Sequence, residues 1–205
     1  MQKRILSYLL LITGLALVFP MATLAEDKPK LMTGSSAAML AGSCVGCHGI
    51  NGNSAGPATP SIAGVSAQFM IDMMDGFKKG EEPSSIMGRI AKGYSDDEIK
   101  AMADYFAAKS FAKATQDFDA KMAKKGAKLH EQYCEKCHAK GGTSVEDDTG
   151  ILAGQWRTYL EWSVADYRAG VREPSKKMRK RMEELTAREG DKGYEALIHY
   201  YTSQR

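Results

Sequence analysis

The chain contains four cysteines, and all four fall in two copies of one pattern: CVGCH (Cys44, Cys47, His48) and CEKCH (Cys134, Cys137, His138). An even cysteine count admits disulfides, and paired C-x-x-C spacing admits a zinc site or thiol redox motifs. The histidine discriminates among them. A His directly after the second Cys, in both copies, is what covalent attachment of c-type haem requires. Two cysteines three positions apart project from one helical turn toward the same porphyrin edge, where their sulfurs form thioethers with the two vinyl groups. The next residue then directs its imidazole at the iron. A zinc ribbon needs neither histidine, and a thioredoxin-like motif needs a βαβ context that the sequence lacks. With both pairs consumed as thioethers no disulfide is expected, and the expected cofactor is two covalently bound haem c.

The signatures are offset by 90 residues, and the offset carries forward: SIAGVSAQFMIDMMDGFKKG (61–80) falls on ILAGQWRTYLEWSVADYRAG (151–170). One inserted residue then aligns PSSIM (83–87) with PSKKM (174–178), and AMADYFA (101–107) meets ALIHYYT (196–202) at an offset of 95. The chain is a duplication. Met87 and Met178 stand at the same station of the repeat, 39 and 40 residues after their histidines. A methionine held there twice reads as the distal iron ligand, and thioether ligation raises an iron's potential. The axial metal ligands are therefore His48 with Met87, and His138 with Met178. Met182, one turn beyond Met178, is the competing candidate. Met70, Met73 and Met74 lie on a helical pattern and read as core or haem-packing residues. His130, opposite Leu40 in the repeat, and His199, opposite Asp104, read as ordinary polar residues.

Each half must hold its site with helices. The order is helix, haem signature, a Gly/Pro/Ser-rich loop, a helix, a methionine loop and a final helix, with no strand pattern, so the expected class is all-α. In HGINGNSAGPATPS a carbonyl near Pro57 or Pro60 is placed to accept the ring N–H of His48 and fix its orientation. Pro83 and Pro174 end the middle helices, and Ser95 before Asp96, Asp97 and Glu98 caps the last helix of the first half. The expected divisions are a first domain over 26–110, a linker over 111–122 that packs through Phe111 and Phe118, and a second domain over 123–205. A half of about 90 residues is marginal for an unaided core, and a bound haem supplies the missing apolar body.

Residues 1–25 have the form of a secretory signal: Lys3 and Arg4, an apolar run from Ile5 to Phe19, and Thr23-Leu24-Ala25 before Glu26. Export to the periplasm is expected, and no later segment has the length of a transmembrane anchor. Residues 26–112 carry 8 basic and 10 acidic side chains, net −2, and 113–205 carry 18 and 15, net +3, a balance that argues against nucleic acid as partner.

On CVGCHGINGNSAGPATPSIAG, SIMGRIAKGYS, GAKLHEQYCEKCH, ILAGQW and PSKKM, the chain resembles the dihaem cytochrome subunits of flavocytochrome c sulfide dehydrogenases. More broadly, it is similar to oxidase-linked dihaem cytochromes of the c-four type. The resemblance implies two class I cytochrome c domains about a pseudo-twofold axis. It further implies a periplasmic FAD-binding flavoprotein partner, forming a heterodimer, that oxidises sulfide and passes electrons to this chain. A downstream acceptor, a small cytochrome or an oxidase, would follow. The same motif positions assign His48, Met87, His138 and Met178 as axial ligands. With both irons doubly ligated the chain moves electrons and does not itself catalyse. The alternatives are a free-standing shuttle to a terminal oxidase and a dihaem peroxidase, which needs an open iron position. Lys176, Lys177, Arg179, Lys180 and Arg181 around Met178 form a basic cluster able to steer an acidic partner, or simply a solvated helix face.

Overall fold

The computed structural model describes residues 35–205, and the expected signal segment lies outside them. Among these residues the regular structure is helical. The first half holds α1 (Ala37–Gly42), α2 (Val45–His48), α3 (Ala67–Lys79), α4 (Met87–Ile90) and α5 (Asp96–Ala107). The second holds α6 (Ala120–Tyr133), a short turn α7 (Ala139–Gly142), α8 (Arg157–Arg168), α9 (Lys176–Glu189) and α10 (Asp191–Ser203).

In both halves the helix before the signature packs on the last helix. Leu40 and Ala41 of α1 bury against Met102, Ala103 and Phe106 of α5, and α3 closes this core with Met70 and Met74. In the second half Leu129 and Tyr133 of α6 meet Ala196, Leu197 and Tyr201 of α10, with Leu160 and Leu185 completing the cluster. Gly126 lets α6 and α10 touch backbone to backbone, since a Cβ there would lie 2.0 Å from the Ala196 carbonyl oxygen.

The duplication is written into the hydrogen bonds as well as the sequence. The Gly52 carbonyl accepts from Ile62 (2.7 Å) and Ala63 (3.1 Å), and the Gly142 carbonyl accepts from Leu152 (2.9 Å) and Ala153 (3.0 Å). Gly64 donates to the Phe106 carbonyl at 2.9 Å and Gly154 to that of Tyr201 at 2.8 Å. All four glycines have φ between 68 and 89°, a region where a side chain is strained. These paired bonds close the loop after each signature onto the last helix.

Local signals account for most helix ends. Ser66 and Ser95 accept from the N–H three residues on, and Ser95 with Glu98 forms a complete capping box. Pro83 and Pro174 do not end the middle helices. Gly80 (φ 78) takes the left-handed position that stops α3, and α8 ends at Arg168, capped by Ala169 before Gly170 (φ 69), so both helices stop a few residues short of the prolines. The prolines instead precede Ser84 and Ser175, whose hydroxyls accept from Gly88 and Met178 N–H.

The connecting segment packs as expected. Ala112 N–H donates to Asn53 Oδ1, Ala114 N–H to the Gly154 carbonyl and Asp119 N–H to His199 Nδ1, while Phe111 joins the first core. The halves also contact directly. Ser61 and Gln155 exchange two hydrogen bonds, N–H to Oε1 at 2.9 Å and Nε2 to carbonyl at 3.0 Å, and their repeat counterparts Ile151 and Val65 share the first apolar core. Arg172 Nε lies 2.9 Å from Glu82 Oε2. These two residues occupy equivalent stations of the repeat, so the ion pair joins the halves at matched positions.

Candidate haem sites

Both signatures close on the carbonyl of their first cysteine, although the first is a helical turn and the second is not, His138 standing at φ −102°, ψ 58°. Cys47 and His48 N–H point to the Cys44 carbonyl (3.2 and 2.9 Å), and Cys137 and His138 N–H to that of Cys134 (3.1 and 2.9 Å). Each pair of thiols and its histidine therefore sits on a single tight turn, as attachment to one porphyrin edge demands. Cys44, Cys134 and Cys137 are half-buried and Cys47 is exposed. Burial pushes the Cys44 thiol up and the Cys134 thiol up to about 11. A redox C-x-x-C motif works in the opposite direction, by depressing a thiol.

The histidines are prepared as ligands. His48 Nδ1 lies 2.9 Å from the Pro60 carbonyl. A carbonyl only accepts, so Nδ1 carries the proton and Nε2 keeps the lone pair that a metal takes. Burial lowers the pKa of His48, with the Pro60 bond opposing it, and burial together with the nearby His130 lowers that of His138 to about 4. Both rings are thus neutral at neutral pH. His138 Nδ1 is buried without a hydrogen-bond partner. Gly150, the counterpart of Pro60, supplies the backbone group beside it without reaching hydrogen-bond geometry.

The methionines are placed less symmetrically. Met87 opens α4, is half-buried and packs against the first core. Met178 is half-buried in the first turn of α9. Met182, one turn later on the same face, packs against the second core. Met70 and Met74 are core residues, and Met73 sulfur receives an Arg172 N–H at 3.2 Å. The donor set of two thiols, one neutral imidazole and a thioether in each half fits haem c.

Two histidines have roles that the sequence pattern did not single out. His199 accepts from Asp119 N–H at 2.8 Å and meets the Arg157 guanidinium at 3.1 Å, pinning the connecting segment to α8 and α10. His130 is 2 % exposed and bonded through both ring nitrogens. Its apolar counterpart, Leu40, was the only signal that this station differs between halves. Of the basic cluster, Arg179 pairs with Glu173 and Arg181 with Glu184, leaving Lys176, Lys177 and Lys180 on the exposed face of α9.

Among known proteins, a family model for cytochrome c matches residues 34–108. The chain is 43 % identical over 82 residues to the cytochrome subunit of sulfide dehydrogenase of Chlorobaculum tepidum, covering 40 % of this chain and 74 % of that one. It is 31 % identical over 167 residues to the thiosulfate dehydrogenase electron acceptor of Stutzerimonas stutzeri, covering 77 % of each. The crystal structure of reduced recombinant cytochrome c4 from Pseudomonas stutzeri superposes with a TM-score of 0.69 at 25 % identity, over 83 % of this chain and all of that one. The all-α fold with two tandem class I cytochrome c domains is common to both.

Proposed function

The chain belongs to the cytochrome c family and is an electron-transfer protein of the haem c type; from that premise we propose that it is a periplasmic dihaem subunit accepting electrons from an FAD-containing sulfide dehydrogenase. In this reading residues 1–25 direct export, 26–110 and 123–205 each hold one haem, and 111–122 link them. Cys44 and Cys47 anchor the first haem and Cys134 and Cys137 the second. His48 and Met87 would ligate the first iron, and His138 and Met178 the second. When bound, the haem supplies a one-electron couple. The polypeptide orients it: the Pro60 carbonyl holds the His48 ring in the ligating tautomer, and the Gly52 and Gly142 carbonyls fasten the loops behind the signatures. With a histidine and a methionine both given to each iron, the chain would move electrons, catalysis would reside in the partner, and a small cytochrome or an oxidase would receive the electrons.

The observation that carries this reading is the pairing of a duplicated Cys-Cys-His-Met station with 43 % identity to a sulfide dehydrogenase cytochrome subunit. A second reading, as electron acceptor of a thiosulfate dehydrogenase, is favoured by the breadth of that match, 77 % of the chain against 40 %. Purification from native cells without dissociation separates them. Co-elution of a flavin-containing chain with sulfide-dependent haem reduction supports the first. Reduction by a co-eluting thiosulfate-oxidising chain, with no response to sulfide, replaces it with the second. A dihaem chain that elutes alone and is inert to both donors leaves the free-standing shuttle.

A further inference from the structure

The duplication is least faithful around the second signature. Where the first half carries Leu40, Val45 and Phe106, the second carries His130, Glu135 and Tyr201. Leu40 and Phe106 are buried apolar residues, whereas His130, equally buried, is the hub of a polar network. Its Nδ1 lies 2.9 Å from the Tyr201 hydroxyl and its Nε2 2.5 Å from Glu135 Oε2. Tyr200 packs on the same imidazole, with ring centroids 5.3 Å apart.

Glu135 does more than pair with His130. Its carboxylate accepts the backbone N–H of Lys140 at 2.9 Å and of Gly141 at 3.2 Å. Those residues follow His138 closely and take φ of 57 and 69°, so one side chain fastens the left-handed turn behind the axial histidine to α6 and, through His130, to α10. The first half lacks this arrangement and instead holds His48 directly by the Pro60 carbonyl, a bond that His138 does not make. A polar network is not the obligatory filling of this station. Buried polar groups carry a desolvation cost, and an apolar filling of the same station exists in this very chain.

We propose that the Glu135–His130–Tyr201 network is the positioning device of the second haem site, holding the turn behind His138 and setting next to Cys134 a carboxylate where the first half has Val45, so that two haems with the same ligand types differ in reduction potential. The inference rests on the dihaem reading above. A nearby carboxylate favours the more positive ferric state, so it lowers the potential of the haem it faces. Glu135 is half-exposed, and solvent screening limits the effect.

The test is a spectroelectrochemical titration of the purified holoprotein, with haem content measured beside it. The wild type is expected to hold two haems with two midpoints. Glu135→Gln, which keeps the shape and removes the charge, should raise one midpoint by up to a tenfold change in its reduction equilibrium, ~59 mV for one electron, and leave the other in place. The triple variant H130L/E135V/Y201F, which installs the first half's residues, should move the same single midpoint while the fold is retained. Midpoints unchanged in both variants, both midpoints moving together, or wild-type haems that titrate as one would overturn the inference. A haem content other than two per chain would overturn the dihaem reading and this inference with it.

Discussion

His48 is held by a backbone carbonyl 2.9 Å away, whereas His138, at the same station of the repeat, leaves Nδ1 unbonded and sits on a turn fastened by the side chain of Glu135. The same contrast recurs at the contact between halves, where Ser61–Gln155 is a polar pair and its counterpart Ile151–Val65 an apolar one. What the halves keep in common is backbone: the carbonyls of Gly52 and Gly142 and the N–H groups of Gly64 and Gly154 make matching bonds. The comparison teaches that the loop geometry behind each signature is carried by main-chain bonds at glycines, which leaves the side chains around it free to diverge.

The largest contrast concerns the distal methionines. In the holoprotein, Met178→Ala should abolish the methionine-bound spectrum of one haem, Met87→Ala that of the other, and Met182→Ala neither. The near-infrared and red absorption of the oxidised protein reads this directly. If Met182→Ala removes the signal and Met178→Ala does not, the ligand lies one turn further along α9 than in the first half's pattern, and the inserted residue of the second half shifts the register.

Next in size is helix packing. At one station of the repeat the first half has Ser36, which caps α1 through the Met39 N–H, and the second has Gly126 pressed on Ala196. Gly126→Ala places a methyl group against backbone that cannot yield without separating α6 from α10, a loss of about 3 kcal/mol. Ser36→Ala removes one capping bond from a partly exposed helix end, about 1 kcal/mol. Thermal unfolding of the two variants should rank them in that order, and equal losses would show that α6 and α10 can part without penalty.

Smaller again is the ion pair joining equivalent stations. Arg172 and Glu82 side chains are 13 % and 23 % exposed. Arg172→Met strands a partly buried carboxylate and should cost about 2 kcal/mol, most of it restored in R172M/E82L. A double variant no more stable than R172M would show that the pair is solvated.

Much of this molecule was legible in its sequence because its signals are local. Two Cys-x-x-Cys-His turns, a 90-residue offset, Ser95 with Glu98 and the Pro60 loop each depend on residues within a few turns of one another. The helix stops were misread, since proline is a strong local breaker, yet Gly80 had already ended α3 in the left-handed region. His130 looked ordinary because its partners Glu135 and Tyr201 are ordinary taken singly. Tyr201 lies 71 positions away, and only the packing of α6 on α10 brings the two together.

The sequence by itself determined the paired Cys-x-x-Cys-His signatures, the duplication and the helical class, for these follow from residue type, spacing and periodicity along the chain. Tertiary structure alone decided that the two sites are supported differently. Burial and the meeting of distant helices turn Leu40 and His130, two residues at one station of a repeat, into a core contact in one half and a polar hub in the other.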